Sequence, residues 1–447
     1  MSNVVINSDK TISINGVKTF PVGVYAGLWC YTPYGCDPQN TQDYLFWAIP
    51  WLDAYPTSYN TFNNIIPTFD SNNVFLTAPF PQPSDRNIDG LTSASINNNH
   101  FFGYIQTDEP DVWNIPASTL INRYNIIKSR DTAHPVITTV FRNLWTYKDT
   151  ADILMWDTYT VGTAYPRAEA PYWYEIISRY NAFAGHSVGD FTKPIYAIVQ
   201  AYGIDTPQYS LQTLTAAEVR LMTYVPITMG MQGIVYYGYH TGDTGDAGFA
   251  RNATIAGYYN NQAKELHSIN NILVLPTIGN SWYDNWNDVA VTFSPNPTTS
   301  IGGYLERKLN YILKGDSTMK YLIVVNKDSN AVNGITVTIP SLSSVTGQIS
   351  ILGIAGESAR SLTMTNGKFT DNFAAKSVHI YQLSGGGLLT KWKCSGSPDY
   401  LCTENATGTH NSLDACQTTC KAPPPPQKKD SDALLMLIAA MIAAHFM

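Results

Sequence analysis

The sequence predicts an eight-stranded α/β barrel, the (β/α)8 or TIM barrel, followed by an all-β sandwich and a small disulfide-rich module. Three observations predict this order. Apolar runs alternate with helical stretches over about 250 residues, the size and rhythm of such a barrel. Short alternating segments replace them from about residue 277, and four of the six cysteines cluster near the C-terminus. The expected divisions are a barrel at 1–275, a sandwich at 276–386, a cysteine module at 391–421, a proline-rich linker at 422–432 and a hydrophobic tail at 433–447.

Eight apolar runs are assigned to the barrel strands, and helical patterns separate them. The strands are placed at 20–28, 57–62, 74–79, 101–109, 135–141, 152–159, 194–202 and 233–240, and the helices at 116–130, 170–183, 215–230 and 255–273. A helix after every strand is what a parallel sheet requires. The alternating segment 4–20 carries Asn15-Gly16, a strong hairpin signal. An open doubly wound sheet is the alternative, but no glycine-rich phosphate loop follows an early strand.

The C-terminal part changes character. The segments AVTFS, YLIVVN, ITVTIP, QISILG and VHIYQL, separated by Gly, Asn and Ser turns, are typical of a β-sandwich. About 30 residues cannot build a core without covalent staples, so two disulfides are expected in the cysteine module. A third is expected to close a small loop after strand one. The cysteines concerned are Cys30, Cys36, Cys394, Cys402, Cys416 and Cys420.

The cysteines and the tail both indicate a location outside the cytosol. Asn252-Ala-Thr and Asn405-Ala-Thr are glycosylation tripeptides compatible with secretion. Residues 433–447 would rise only about 22 Å as a helix, short of the roughly 30 Å hydrocarbon core of a bilayer. With the polar spacer after Ala422, the tail fits a GPI attachment signal better. We therefore expect an extracellular or cell-surface protein with possible membrane attachment through this tail.

Charge and ligand spacing exclude several function classes. The net charge is -7, with no basic stripe, so nucleic acid is not expected as a partner. The His, Asp and Glu residues form no cluster at metal-ligand spacing. The prediction is that neither a metal nor an organic cofactor is needed.

Polar and aromatic residues collect where the predicted strands end. In a barrel these ends share one face, and chemistry sits there. Glycoside hydrolysis needs two carboxyl groups, one of them a protonated acid, and a partly buried carboxyl beside another has a raised pKa. Glu109 is therefore the candidate acid, and Asp157 is the candidate second carboxyl. Expected substrate contacts are Asp108, Trp29, Trp113, Tyr159, Gln200, Tyr202, Tyr237 and His240.

The runs FFGYIQTDEP, ILMWDTY, IYAIVQAYG and the later GKFTDNFAAKSVHIYQL resemble the pattern of clan-A-like barrel glycoside hydrolases with a C-terminal β-sandwich, over roughly residues 4–384. In that group the acid/base is the glutamate of an Asn-Glu-Pro or Asp-Glu-Pro motif after strand four, which implies Glu109. The nucleophile is normally a glutamate at the end of strand seven, where this chain has Gln200. Three alternatives follow: Asp157 supplies the second carboxylate, Asp243 or Asp246 does, or the barrel binds sugar without cleaving it.

The sequence thus predicts an extracellular glycoside hydrolase that cleaves O-glycosidic bonds of a poly- or oligosaccharide. Its rivals are a non-catalytic carbohydrate-binding surface protein and a cell-wall transglycosylase. Structural interpretations stand beside the catalytic ones. Asp-Glu-Pro also suits the opening of a helical turn, and Asp157 could pair with Arg142 or Arg167 in a structural network.

Overall fold

The computed structural model divides the chain into two units, Met1–Gly387 and Leu388–Met447. The residues it describes are 3–25, 47–49, 75–79, 93–161, 166–183, 186–201, 214–237, 253–281, 290–354, 356–383, 392–394 and 402–404.

A closed barrel of eight parallel strands forms the first half of the larger unit. Its strands are β4 (Val22–Tyr25), β5 (Trp47–Ile49), β6 (Phe75–Pro79), β7 (Phe101–Ile105), β8 (Val136–Val140), β9 (Ile153–Asp157), β10 (Ile195–Gln200) and β11 (Gly233–Tyr237). The last strand pairs with the first, with Tyr236 opposite Val24, so the sheet has no free edge. Strands β7 to β10 are buried on both faces, which explains why they are apolar runs rather than alternating patterns. The barrel prediction is confirmed.

The second barrel strand is not where the sequence placed it. It is Trp47–Ile49, paired with β4 and β6, so the assignment to 57–62 is wrong. Residues 57–62 lie outside the described part of the chain. The observed strand is only three residues long, too short for a periodic signal. A usable signal was nevertheless present, because FWAIP repeats the apolar-run-then-proline form of the third strand, FLTAP.

Helices cover the outside of the barrel. They are α1 (Ser93–Ile96), α2 (Ala117–Arg130), α3 (Ala170–Ile177), α4 (Ala216–Thr228), α5 (Ala253–Ser268) and α6 (Asn270–Leu273), with a π-turn at Ser178–Ala182 and short 3-10 turns at Arg167–Glu169 and Val188–Asp190. The four predicted helices are found, although 255–273 is interrupted at Ile269. Between β8 and β9, residues 141–152 form successive turns instead of a helix. The expectation of a helix after each strand therefore fails there, where Asn, Asp and Thr favour turns over a continuous helix.

A three-stranded antiparallel sheet closes the bottom of the barrel. It consists of β1 (Val4–Ile6), β2 (Ile12–Ile14) and β3 (Val17–Thr19). Asn15 and Gly16 form the predicted turn, with φ of 51° and 83°, as a two-residue hairpin with both central residues left-handed requires. The sheet leads directly into β4 and so lies at the N-terminal ends of the strands. Its side chains Val4, Ile12 and Ile14 pack with barrel residues from Phe102 to Val235.

A β-sandwich follows the barrel within the same unit. One sheet has six strands, β12 (Thr277–Asn280), β16 (Leu309–Gly315), β17 (Lys320–Asn326), β22 (Val378–Gln382), β19 (Gly347–Ile351) and β20 (Arg360–Met364), and the other has three, β13 (Thr292–Ser294), β18 (Val332–Thr338) and β21 (Lys368–Phe373). A hairpin of β14 (Thr298–Ile301) and β15 (Tyr304–Arg307) and a 3-10 turn at Pro340–Leu342 complete it. Leu322 and Tyr381 from the first sheet share a buried core with Val337 and Phe369 from the second. All five predicted segments contain strands.

Charged side chains join the barrel to the sandwich. The carboxylate of Glu175, in α3, binds both Lys327 Nζ and Asn310 Nδ2 of the sandwich. Nearby, the guanidinium of Arg179 forms two parallel hydrogen bonds of 3.0 and 3.1 Å with Glu306. Glu175 and Lys327 are buried, with 4% and 1% of their surfaces exposed. A buried charge is tolerated only when an opposite charge and hydrogen bonds satisfy it, so this pair fixes where α3 docks.

Helix α4 lies between the barrel and the sandwich and is buried on nearly every side. Its N-terminus is a capping box: Thr215 Oγ1 accepts from Glu218 N, and Glu218 accepts from Thr215 N at 2.9 Å. The spacing of Thr215 and Glu218 in TAAE is the sequence signature of such a box. The Glu218 carboxylate also binds Arg167 and Lys376.

In the smaller unit, the structure describes one antiparallel pair, β23 (Trp392–Cys394) and β24 (Cys402–Glu404). Cys394 lies directly opposite Cys402 in this ladder. Among the helices of the described ranges, none combines the length and the apolar character needed to cross a membrane.

Candidate active site

The loop after β7 carries the Asp-Glu-Pro motif in a tight turn. The amide of Val112 donates to the Glu109 carbonyl at 3.0 Å, and the amide of Ile115 donates to the Pro110 carbonyl at 2.8 Å. Glu109 itself has a φ of +41°, the left-handed region that a side chain with a Cβ rarely adopts. Such a conformation costs about 1–3 kcal/mol and persists only where the surroundings enforce it, most often at functional sites.

Glu109 is half-buried among other carboxylates. Partial burial, then the negative charge of Asp108 and then that of Asp111, raise the pKa of Glu109 to about 7, against a smaller lowering by Arg142. A group with this pKa holds its proton in mildly acidic solution and can still give it up near neutrality. That is the property required of a general acid.

Asp157 ends β9 at the floor of the same face. It follows Ile153 and Met155, which point into the barrel core, so its side chain shares their side of the strand. Only 3% of its surface is exposed. Burial, then the charges of Asp108, Glu109 and Asp111, raise the pKa of Asp157 well above its usual value, partly offset by the Tyr159 hydroxyl. Within the described ranges, Asp157 Oδ1 has no hydrogen-bond partner.

Two tyrosines form an aromatic surface above the barrel core. The rings of Tyr159 and Tyr237 stack with centroids 5.3 Å apart and planes 27° apart, and both are only partly buried. On the loop after β7, Trp113 is 71% exposed and its neighbour Val112 is also exposed. Flat apolar faces with polar rims suit stacking on sugar rings.

Gln200 ends β10, the seventh barrel strand, and its amide is held by the backbone of one residue. Its Oε1 accepts from Val161 N at 3.1 Å and its Nε2 donates to Val161 O at 3.0 Å. Only 1% of its surface is exposed. An amide satisfies both backbone groups, whereas an ionised carboxylate would place an oxygen against the Val161 carbonyl. The local structure therefore requires glutamine where the barrel resemblance leads one to expect glutamate.

Gln200→Glu is expected to destabilise the protein by about 1–3 kcal/mol at pH 7, because a buried acceptor loses its donor and faces another oxygen. The folded-state pKa of the new carboxyl would be raised above its unfolded value of about 4.3. The variant would therefore match wild type best below that pH and lose stability as the pH rises through the folded pKa. Denaturant unfolding at pH 4 and pH 7 measures this.

The matched control is Gln348→Glu, at an exposed position of the sandwich. In the wild type, Gln348 Nε2 donates to Thr363 Oγ1 at 3.0 Å. Its stability should change by less than about 0.5 kcal/mol at either pH. Equal stability of Gln200→Glu and wild type at pH 7 would show that the paired hydrogen bonds with Val161 do not require an amide.

The sequence did not indicate two further residues of this face, Asp111 and Arg142, as site residues. The Asp111 carboxylate accepts the backbone N–H groups of Phe141, Arg142 and Asn143, which follow β8. The charge of Arg142 lowers the pKa of Glu109, against the larger raising effects of burial and of Asp108 and Asp111. An aspartate in a turn commonly accepts hydrogen bonds from nearby backbone amides. The partners of Asp111 start 30 residues away along the chain, so the sequence could not identify them.

Several other residues near predicted strand ends do not join this site or lie outside the described part of the chain. Trp145, which follows β8, stacks on His186 with ring centroids 3.5 Å apart and also contacts Phe191. Both partners lie in the segment between Ala182 and β10. The positions outside the described part of the chain are Trp29, Cys30, Cys36, Tyr202, His240, Asp243, Asp246, Asn252, Asn405, Cys416 and Cys420. Among the described ranges, no group of three or more His, Cys, Asp or Glu side chains could hold a metal ion.

Comparison with solved structures identifies the fold. A structure described as a glycoside hydrolase matches with a TM-score of 0.57 at 13% identity, covering 86% of this chain and 97% of its own. A glycoside hydrolase family 5 protein from Bacteroides vulgatus ATCC 8482 matches with a TM-score of 0.52 at 13% identity, covering 85% of this chain and 93% of its own. No protein-family model and no curated protein matches the sequence. The chain is therefore similar in fold to clan-A-like barrel glycoside hydrolases, as the strand-end resemblance predicted.

Proposed function

We propose that this protein is a glycoside hydrolase that cleaves O-glycosidic bonds of a poly- or oligosaccharide, with Glu109 as the general acid. The observation that carries the proposal is the state of Glu109. It follows the fourth strand of a glycosidase-type barrel, is held at a φ of +41° and has a pKa of about 7. Its proton would pass to the glycosidic oxygen as the bond to the anomeric carbon breaks.

Asp157 is the proposed second carboxyl among the described residues. It would act as nucleophile if the two carboxyls lie about 5 Å apart, or as the base for a water molecule at about 6.5–9.5 Å. Either role needs an ionised Asp157, whereas its burial raises the pKa. Positive charge developing on the sugar in the transition state would favour that ionisation. The exposed Trp113 and the stacked Tyr159 and Tyr237 would contact the sugar rings.

A second candidate is a carbohydrate-binding protein without catalysis. Two observations favour it: Gln200 is committed to Val161 at the position where a nucleophile is expected, and Asp157 is buried in a state that disfavours its charge. Such a protein would keep the aromatic surface and bind glycans unchanged. A transglycosylase is a variant of the first proposal in which a second sugar replaces water as acceptor.

We further propose an extracellular location, with Asn252 and Asn405 glycosylated, the six cysteines in disulfides and membrane attachment through the tail at 433–447. The opposed positions of Cys394 and Cys402 in the β23–β24 ladder support a staple there. Mass spectrometry of the protein secreted from a eukaryotic host, before and after reduction and deglycosylation, tests these modifications together.

The test of function is incubation of the wild-type protein with a panel of polysaccharides and aryl glycosides, with products followed by chromatography and binding followed by calorimetry. Hydrolysis of any member supports the enzyme. Binding with no product, in the presence or absence of acceptor sugars, supports the second candidate. Longer products that appear only with an added acceptor identify a transglycosylase.

A further inference from the structure

We propose that Asp111 is the positioning residue for Glu109, fastening the loop after β7 to the loop after β8 so that the acid is held in its strained conformation. This inference rests on the proposed role of Glu109. Asp111 does not itself exchange protons with the substrate. It acts through the backbone it holds and through its charge.

The hydrogen bonds of Asp111 show the fastening. Its Oδ1 accepts from Phe141 N at 3.2 Å, and its Oδ2 accepts from Arg142 N at 2.5 Å and Asn143 N at 3.1 Å. Three successive backbone N–H groups converging on one carboxylate form a charge-assisted nest. Because these donors immediately follow β8, the bonds fix the position of the loop after β7 relative to the loop after β8.

A second contact holds the far end of the same turn. The hydroxyl of Tyr147 donates to the Ile115 carbonyl at 2.6 Å. Glu109 precedes both fastened points, and its carbonyl accepts from the amides of Val112 and Trp113. A left-handed, non-glycine residue relaxes unless its neighbours are fixed on both sides. The two fastenings and the barrel strand before Glu109 supply that restraint.

The same residues set the charge around Glu109. Asp108 and Asp111 favour its protonated form, and Arg142, whose backbone Asp111 holds, opposes them. Asp157 on β9 belongs to the same group, because its own pKa responds to Asp108, Glu109 and Asp111. Removing the charge of Asp111 while keeping an acceptor oxygen should therefore lower the pKa of Glu109, whereas a residue that only stabilises the loop would leave it unchanged.

The experiment compares wild type with Asp111→Asn in two readouts. Kinetics on a cleaved glycoside should show kcat lower by roughly tenfold to a hundredfold, with KM nearly unchanged, because a misplaced catalytic group affects the transition state more than ground-state binding. Carboxyl carbon NMR, assigned with Glu109→Gln, should show Glu109 titrating at a lower pH in Asp111→Asn. Unchanged kcat together with an unchanged Glu109 pKa would overturn the proposal.

Two controls keep the outcomes distinct. The first is Asp316→Asn, in the sandwich, where the Asp316 carboxylate accepts from the backbone amides of Thr318 and Met319 at 2.7 and 2.9 Å. This variant should leave both kcat and the Glu109 pKa unchanged. Tyr147→Phe removes the second fastening without a charge change, so kcat should fall while the Glu109 pKa moves less than in Asp111→Asn. If wild type cleaves no glycan, the proposed function fails and the inference fails with it, whereas a wild type that cleaves glycans while Asp111→Asn keeps its kcat overturns the inference alone.

Discussion

Glu109→Gln is expected to lower kcat by about 10²–10⁴-fold on natural glycosides, the usual contribution of a general acid. Glutamine keeps the shape of the side chain but has no proton to give to the leaving oxygen. The loss should be much smaller for an aryl glycoside with a nitrophenolate leaving group, because that anion is stable without protonation. Steady-state kinetics on both substrate types measures the difference.

The pH profile provides a second signature of the same residue. Because the acid must be protonated and its pKa is about 7, wild-type activity should fall as the pH rises above about 7. In Glu109→Gln this alkaline limb should disappear. The matched control is Glu169→Gln, which keeps an oxygen to accept from Trp173 Nε1 and should leave the profile unchanged. Equal losses on both substrate types would contradict a role in protonating the leaving group.

Lys327→Met is expected to destabilise the fold by about 3–5 kcal/mol, the largest stability effect we predict. Methionine fills much the same volume but leaves the Glu175 carboxylate buried against the sandwich without its counter-charge. Asn310 would still hydrogen-bond to Glu175, which cannot replace a full positive charge. The shift of the guanidinium chloride midpoint, followed by tryptophan fluorescence, measures the effect.

The double variant Glu175→Gln with Lys327→Met should recover most of this loss, since neither position of the pair then holds an uncompensated buried charge. Lys18→Met serves as the exposed control. Its ion pair with Asp9 is 2.6 Å long, but 44% of the lysine side chain is exposed, so removal should cost at most about 1 kcal/mol. A double variant as unstable as Lys327→Met would mean that packing at the contact, rather than uncompensated charge, determines the loss.

The fold could be predicted from sequence where burial left a strong mark. Strands β7 to β10 are buried along their whole length, so they appear as apolar runs that no surface pattern interrupts. The three-residue β5 is too short to show a periodic pattern, and the hairpin of β14 and β15 is too exposed, with Tyr304 and Leu305 at the surface. Length and exposure explain these two misses but not that of β16, which has seven residues, is buried along its whole length and is absent from the five predicted segments.

The candidate site divides in the same way. Glu109 could be predicted because the features that matter, a neighbouring carboxylate, a proline and the end of an apolar strand, are contiguous in the chain. The paired hydrogen bonds of Gln200 with Val161 and the fastening of Asp111 to the loop at Phe141 join distant segments. Sequence could show an unexpected amide at position 200, but only the three-dimensional contact explains why an amide is needed there.

The sheet at the bottom of the barrel has a consequence for how the chain folds during synthesis. Val4, Ile12 and Ile14 are synthesised long before the residues on which they pack, which include Tyr196, Ile198 and Val235. Until these later strands emerge, the apolar side of the sheet has no partner, and contacts so distant along the chain form slowly. The apolar side of this sheet therefore stays exposed until the strand that contains Val235 has been synthesised, long after the sheet itself.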